Sequence, residues 1–149
     1  MTENLFGFIG LGNMGRPMAQ NITSRNIPLI VHDLAGTKER SPDKAIIAVS
    51  NQDLAKKAKV IALSLPNLES NKSVIREIAD VAKKGTVIVD TCTIGPQAAA
   101  ENKEVLETAG ISYLDSPVSG LKFRAEEGAL VSMVAGDAEA LRSARPLIE

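Results

Sequence analysis

The most constraining feature of this chain is a glycine cluster wedged between an apolar run and a helical stretch. Leu5 to Ile9 is apolar apart from Gly7, and Gly10-Leu11-Gly12-Asn13-Met14-Gly15 follows at once. From about Met14 to Ser24 the apolar residues Met14, Met18, Ala19 and Ile22 recur on one helical face. A second apolar run, Pro28 to Asp33, ends on an acid about 20 residues beyond the glycines. Glycines serve tight turns of many kinds, so G-x-G-x-x-G alone says little. Between a strand and a helix, with an acid closing the next strand, it says much more. Gly10 permits the sharp turn, Gly12 lets a pyrophosphate approach the backbone, and Gly15 lets the helix pack close to the strand. The helix start then offers free N–H groups and the positive end of its dipole to an anion.

The rest of the chain repeats the alternation of short apolar run and longer amphipathic stretch. Val60 to Ser64, Thr86 to Asp90, Ile111 to Asp115 and Leu130 to Val134 read as four further strands. Ser50 to Lys57 reads as a short helix with Ser50 or Asn51 as N-cap, and a longer helix is expected over about Ser70 to Lys83. Pro96 opens another helix and Gly110 closes it. Ala138 to Ile148 starts a last helix, which Pro146 and the end of the sequence are expected to interrupt. The expectation is an α/β Rossmann domain over residues 1–149: a doubly wound, mainly parallel sheet of about six strands, helices on both faces. Ligands of such sheets lie at the carboxyl ends of the strands, near the switch in strand order.

Asp33 is placed to accept hydrogen bonds from the adenosine ribose hydroxyls of a dinucleotide. A 2′-phosphate there would meet like charge, and Leu34, Ala35 and Gly36 follow with no arginine. The expected cofactor is therefore NAD in preference to NADP. His32 is expected to serve structure, from the other face of its strand.

Composition narrows the remaining classes. A chain of 149 residues can bury roughly 70% of its unfolded surface, so it needs no disulfide or structural metal to fold. The formal net charge of -1 gives no electrostatic reason to expect nucleic acid or an anionic membrane. Lys56, Lys57 and Lys59, the densest basic cluster, read as a solvated helix end. One cysteine makes no internal disulfide and points to a reducing cytoplasm. Met1-Thr2-Glu3-Asn4 lacks a basic stretch and carries an acid, unlike a secretory or transit leader. No apolar run approaches the ~20 residues that cross a bilayer.

Four stretches together resemble the β-hydroxyacid dehydrogenases, which include 3-hydroxyisobutyrate dehydrogenase and 6-phosphogluconate dehydrogenase. They are Gly7 to Ile22; Leu65-Pro66; Asp90-Thr91-Cys92-Thr93-Ile94-Gly95-Pro96, similar to D-x-S-T-I-x-P; and Asp115-Ser116-Pro117-Val118-Ser119-Gly120 with Gly128, Leu130 and Met133 to Gly136. They stand in the family's order and cover essentially the whole chain. The resemblance implies that Gly10, Leu11, Gly12, Asn13, Met14, Gly15 and Asp33 bind NAD. It implies that Leu65 and Pro66 pass under the nicotinamide half, and that Thr93 touches the cofactor. Ser119 and Gly120 would hold a small hydroxyacid substrate by hydroxyl and backbone N–H groups. Hydride would pass to the nicotinamide as the β-hydroxyacid becomes a semialdehyde.

Three residues depart from the family pattern. Leu121 replaces the second glycine of S-G-G, Cys92 replaces a serine and reads as a small buried hydrophobe, and Ala135 replaces a glycine. The family's general-base lysine sits in a G-x-x-G-x-G-x-x-x-K segment beyond Glu149, ahead of an all-helical C-terminal domain. Lys122 is expected to sit exposed on a loop, without that role. The expectation is therefore of a chain that binds NAD but does not turn over alone, with apolar surface that favours a homo-oligomer. The contrasting reading is a stand-alone module that binds or senses NAD.

Overall fold

The computed structural model describes residues 4–149, so the leader reading, which involves Met1 to Glu3, lies outside the described residues. β1 (Phe6–Ile9) runs into α1 (Gly15–Ser24), and β2 (Leu29–His32) into α2 (Thr37–Arg40) and β3 (Ile46–Ile47). After α3 (Asn51–Lys57) come β4 (Val60–Leu63), α4 (Leu68–Val81), β5 (Val87–Asp90), α5 (Pro96–Thr108) and β6 (Ser112–Asp115). These six strands form one sheet in the order β3-β2-β1-β4-β5-β6, every pair parallel. The order reverses direction between β1 and β4, which is where such a sheet leaves a crevice for a ligand.

The strands are apolar almost throughout because both faces are covered. Successive residues point to opposite sides, so Ile30, Ile61, Leu63 and Ile88 join one core with Leu54 of α3, Ile75 and Ile78 of α4 and Leu106 of α5. Their neighbours Val31, Val60, Ala62, Val87 and Val89 join the other core with Ala19 and Ile22 of α1. Gly7 breaks the apolar run of β1 for a packing reason: a Cβ there would lie 2.6 Å from a methyl of Leu54 and 2.9 Å from that of Ala58.

The sheet corrects the expected strand list at one place. Leu130 to Val134 is not its sixth strand. β7 (Val118–Ser119) and β8 (Val131–Ser132) instead pair with each other, antiparallel, on either side of the short helix α6 (Lys122–Glu126). Val131 is exposed and Ser132 half-buried, so this segment has one face to bury, not the two that a parallel central strand requires. The sixth place belongs to Ile46–Ile47, which pairs with Ile30 and Val31 at the sheet edge. Two residues are too few to give a periodic signal.

Two smaller corrections follow. Lys122 begins a helix instead of sitting on a loop, exposed as expected and 3.7 Å from Glu126 one turn on. The last helix, α7 (Ala138–Ile148), also runs through Pro146. That proline falls in the final turn, where it forfeits one intrahelical hydrogen bond. Asp137 caps the start by accepting from the amides of Glu139 and Ala140 at 3.0 and 2.9 Å, and Ala140 and Ala144 are buried in the second core.

Candidate functional site

At the carboxyl ends of β1, β2, β4 and β5 lies a cleft of about 1020 Å³. Gly10, Gly12, Asn13, Met14, Gly15, Asp33, Leu65, Pro66 and Thr93 all line it. Nine of the twelve residues named from the sequence therefore line the cleft, while Leu11 lies beneath it with its side chain in the core. Ser119 and Gly120 are exposed and are not among the lining residues, although the adjacent Val118 is.

The turn between β1 and α1 is fixed by close backbone approaches. Gly10 adopts φ +98°, and a Cβ on it would fall 2.0 Å from the carbonyl oxygen of Ser64. A Cβ on Gly15 would fall 1.9 Å from the carbonyl oxygen of Gly10. These two glycines are therefore required by the fold. Gly12 differs: nothing lies within 4 Å of a Cβ there. Its backbone faces open cleft, so a side chain would fill space that a ligand could use. No side chain caps α1 and no acid stands in its first turn, which leaves the helix start free to face an anion. This is the cradle that a pyrophosphate requires, and the residues present fit NAD.

Asp33 is held rigidly at the end of β2. One oxygen accepts from the Leu11 amide at 2.7 Å and the other from the Ala35 amide at 2.8 Å. The Leu11 N–H is thus committed to tying the glycine turn to the acid. Thr37 folds the following chain back, accepting from the Asp33 amide at 2.9 Å and donating to its carbonyl at 3.0 Å. The reversal returns Arg40 to within 3.6 Å of the Asp33 carboxylate. No arginine follows Asp33 immediately, but the fold brings one back from seven positions away, on a four-residue helix that carries no periodic signal. Leu34 and Val49, 94% and 87% exposed, provide apolar walls at this end. His32 has its Nδ1 2.7 Å from Oδ1 of buried Asn51, and the pair lines the cleft. The ring is structurally engaged, but it faces the site and not away from it.

The opposite end is built on side chains. Asp90 is fully buried and accepts from the Tyr113 hydroxyl at 2.7 Å, from Asn71 Nδ2 at 2.8 Å and from the Cys92 amide at 3.1 Å. Asn71 Oδ1 in turn accepts from Asn102 Nδ2 at 2.8 Å. Burial, then the Asp90 carboxylate, pushes the Tyr113 hydroxyl well above the ordinary phenol range. The same two causes raise Asp115, which pairs with Asp90 across the sheet. Cys92 is buried, and burial followed by Asp90 pushes its thiol from 9.0 up to about 12. The thiol is buried as expected, but it is more than a small hydrophobe, since its Sγ accepts from the Leu65 amide at 3.2 Å. Sequence reasoning missed Asn71, Asn102 and Tyr113, whose only signal is polarity within apolar stretches.

Thr91 and Val118 also line a second cavity, of about 300 Å³, bounded by residues of α1, α6 and α7. Among the described residues no helix is long and apolar enough to cross a membrane.

A family model described as the NAD binding domain of 6-phosphogluconate dehydrogenase matches residues 5–149. The chain is 36% identical over 148 residues to mouse mitochondrial 3-hydroxyisobutyrate dehydrogenase, covering 96% of this chain and 44% of the relative. It is also 36% identical over 148 residues to the NAD-dependent L-serine dehydrogenase of Pseudomonas aeruginosa, with 95% and 49% covered. The structure of Mycobacterium tuberculosis 3-hydroxyisobutyrate dehydrogenase with L-serine superposes with a TM-score of 0.92 at 31% identity, over 98% of this chain and 51% of that one. The chain spans about half the length of the relatives it matches.

Proposed function

This chain belongs to the β-hydroxyacid dehydrogenases, and from that membership we propose that it forms the NAD-holding half of an enzyme that oxidises a small β-hydroxyacid such as 3-hydroxyisobutyrate. The observation that carries the reading is the single cleft that joins open backbone at Gly12, the carboxylate of Asp33 and the Leu65-Pro66 and Thr93 loops. In this reading Gly10, Gly12, Asn13, Met14 and Gly15 receive the pyrophosphate, Leu11 ties their turn to Asp33, and Asp33 accepts from the adenosine ribose hydroxyls. Leu65, Pro66 and Thr93 flank the nicotinamide. When bound, NAD supplies the acceptor for the substrate's hydride. The chain's own residues hold and orient, and shield the reacting end from water.

Ser119 and Gly120 are proposed as substrate contacts. They stand exposed beside Val118 at the rim, where a small acid could reach the nicotinamide end without entering the pyrophosphate cradle. Relatives named for 3-hydroxyisobutyrate and for L-serine support a short hydroxylated acid as the substrate class. Leu121, Phe123, Val131 and Met133 are each more than half exposed, apolar surface that supports association with further copies or further protein. The single buried, unpaired cysteine supports a reducing compartment such as the cytoplasm.

The test is turnover. Incubated with NAD and 3-hydroxyisobutyrate or L-serine, the 149-residue chain is expected to bind NAD and to release no NADH. A steady rise in NADH absorbance would overturn the half-enzyme reading.

A further inference from the structure

The loops at the nicotinamide end come from different strands, and the contact that joins them passes through sulfur. We propose that Cys92 is a positioning residue, whose Sγ locks the loop after β4 to the loop after β5 and so sets Leu65-Pro66 and Thr93 for the nicotinamide half of NAD. This rests on the cofactor reading given above.

The geometry supports the assignment from both sides. The Leu65 amide donates to Cys92 Sγ at 3.2 Å, and the thiol lies 3.9 Å from the Leu63 carbonyl oxygen as a weak donor. That carbonyl also accepts from the amide of Thr91 at 3.0 Å and from its hydroxyl. A neutral thiol can fill both roles at once, giving its proton to the last residue of β4 and accepting from the loop that follows it. Burial keeps it neutral, since the thiol is pushed up to about 12.

The sulfur is itself fixed from beneath. The Cys92 amide donates to Asp90, and Asp90 is gripped by Tyr113 from β6 and Asn71 from α4. Asn102 of α5 steadies Asn71. Three elements of the core thus determine where one atom stands, and that atom determines where the Leu65 backbone stands. Pro66 follows with no N–H of its own, so the Leu65 amide is the donor through which this corner can be tied.

The experiment uses the full chain with Cys92→Ala, Cys92→Val and Cys92→Ser, titrated by calorimetry with NAD and with ADP-ribose, which lacks nicotinamide. Losing one hydrogen bond at the corner should weaken NAD about fivefold in the alanine and valine variants, while ADP-ribose stays within about twofold. Serine keeps an acceptor and should restore NAD to within about twofold. Hydrogen exchange at the Leu65 amide should quicken in the alanine and valine variants and not in the serine variant. Valine puts a methyl in place of the sulfur and adds one more, so it gives the answer if alanine leaves too large a void to fold. Equal NAD to ADP-ribose ratios in wild type, alanine and valine variants would overturn the proposal, while binding of both ligands would leave the cofactor reading standing. Failure of the wild type to bind either ligand would overturn the cofactor reading and this proposal with it.

Discussion

The two ends of the cleft are made in opposite ways. At the Asp33 end, proposed for adenosine, the work falls to backbone: two glycines that admit no Cβ, one that faces open space, and an amide of Leu11 bound to Asp33. At the Leu65 and Thr93 end, proposed for nicotinamide, it falls to side chains, with Asp90, Asn71, Asn102, Tyr113 and Cys92 joined in one buried network. A backbone site tolerates no added atoms but needs few partners. A side-chain site needs each partner to be satisfied, because an unpaired buried polar group costs about 1–3 kcal/mol. The first end should therefore fail by collision and the second by loss of a partner.

Substitutions of two glycines break the comparison most sharply. Gly15→Ala places a Cβ 1.9 Å from a backbone oxygen and should cost on the order of 3 kcal/mol, or prevent folding, in urea denaturation. Gly12→Ala meets nothing within 4 Å, so its stability should change by less than about 0.5 kcal/mol. Its NAD affinity should still fall by at least about tenfold, since the methyl would occupy the space where the pyrophosphate approaches. Stability loss in the first and binding loss in the second would separate scaffold from cradle. Equal behaviour would erase the distinction.

At the other end, Tyr113→Phe removes one of the donors to Asp90 while keeping the ring in its core. It should cost about 1–2 kcal/mol of stability by denaturant titration, and its loss of NAD affinity should exceed any loss for ADP-ribose. Asp33→Asn keeps an acceptor for Leu11 but removes the charge. It should weaken NAD by up to about tenfold and narrow the margin over NADP, with Arg40 then released from its carboxylate partner.

The last effect is read in mildly alkaline solution, between pH 8 and pH 10. The Cys92 thiol is held at about 12 in the fold against an ordinary 9.0, so the native state keeps a proton that the unfolded chain gives up. Its contribution is present in full below pH 9.0 and is lost as pH climbs toward about 12, at about 1.4 kcal/mol per pH unit. Tyr113, also raised, adds loss in the same direction at higher pH. Denaturation of wild type and Cys92→Ala at pH 8 and pH 10 checks this: the wild type should lose more stability between them. For the same reason an alkylating reagent should leave native Cys92 unmodified at pH 8.

The same contrast explains what could be read from the sequence. The cradle is local, since Gly10 to Gly15 and Asp33 lie within two elements and each residue type has one physical purpose there. The strands β1 and β2 on either side of the cradle, the capped helix at Ser50 and the proline-opened helix at Pro96 were legible for the same reason. The clamp is not local. Leu63, Asn71, Asp90, Asn102 and Tyr113 come from five elements, and a buried asparagine looks like any other until its partners are known. Cys92 was legible as buried but not as an acceptor for the Leu65 amide. The edge strand at Ile46–Ile47 escaped because two residues show no period, and Leu130 to Val134 misled because its apolar content resembles a sheet strand while one side stays in solvent. Arg40 was hidden by a chain reversal at Thr37.

The most direct test of the cleft as an NAD site is calorimetric titration of the chain with NAD and NADP side by side. Saturable binding of NAD at one site per chain is expected, with NADP weaker by about tenfold or more because a 2′-phosphate meets the Asp33 carboxylate. Equal affinity for the two would contradict the role given to Asp33, and binding of neither would contradict the cleft as a cofactor site.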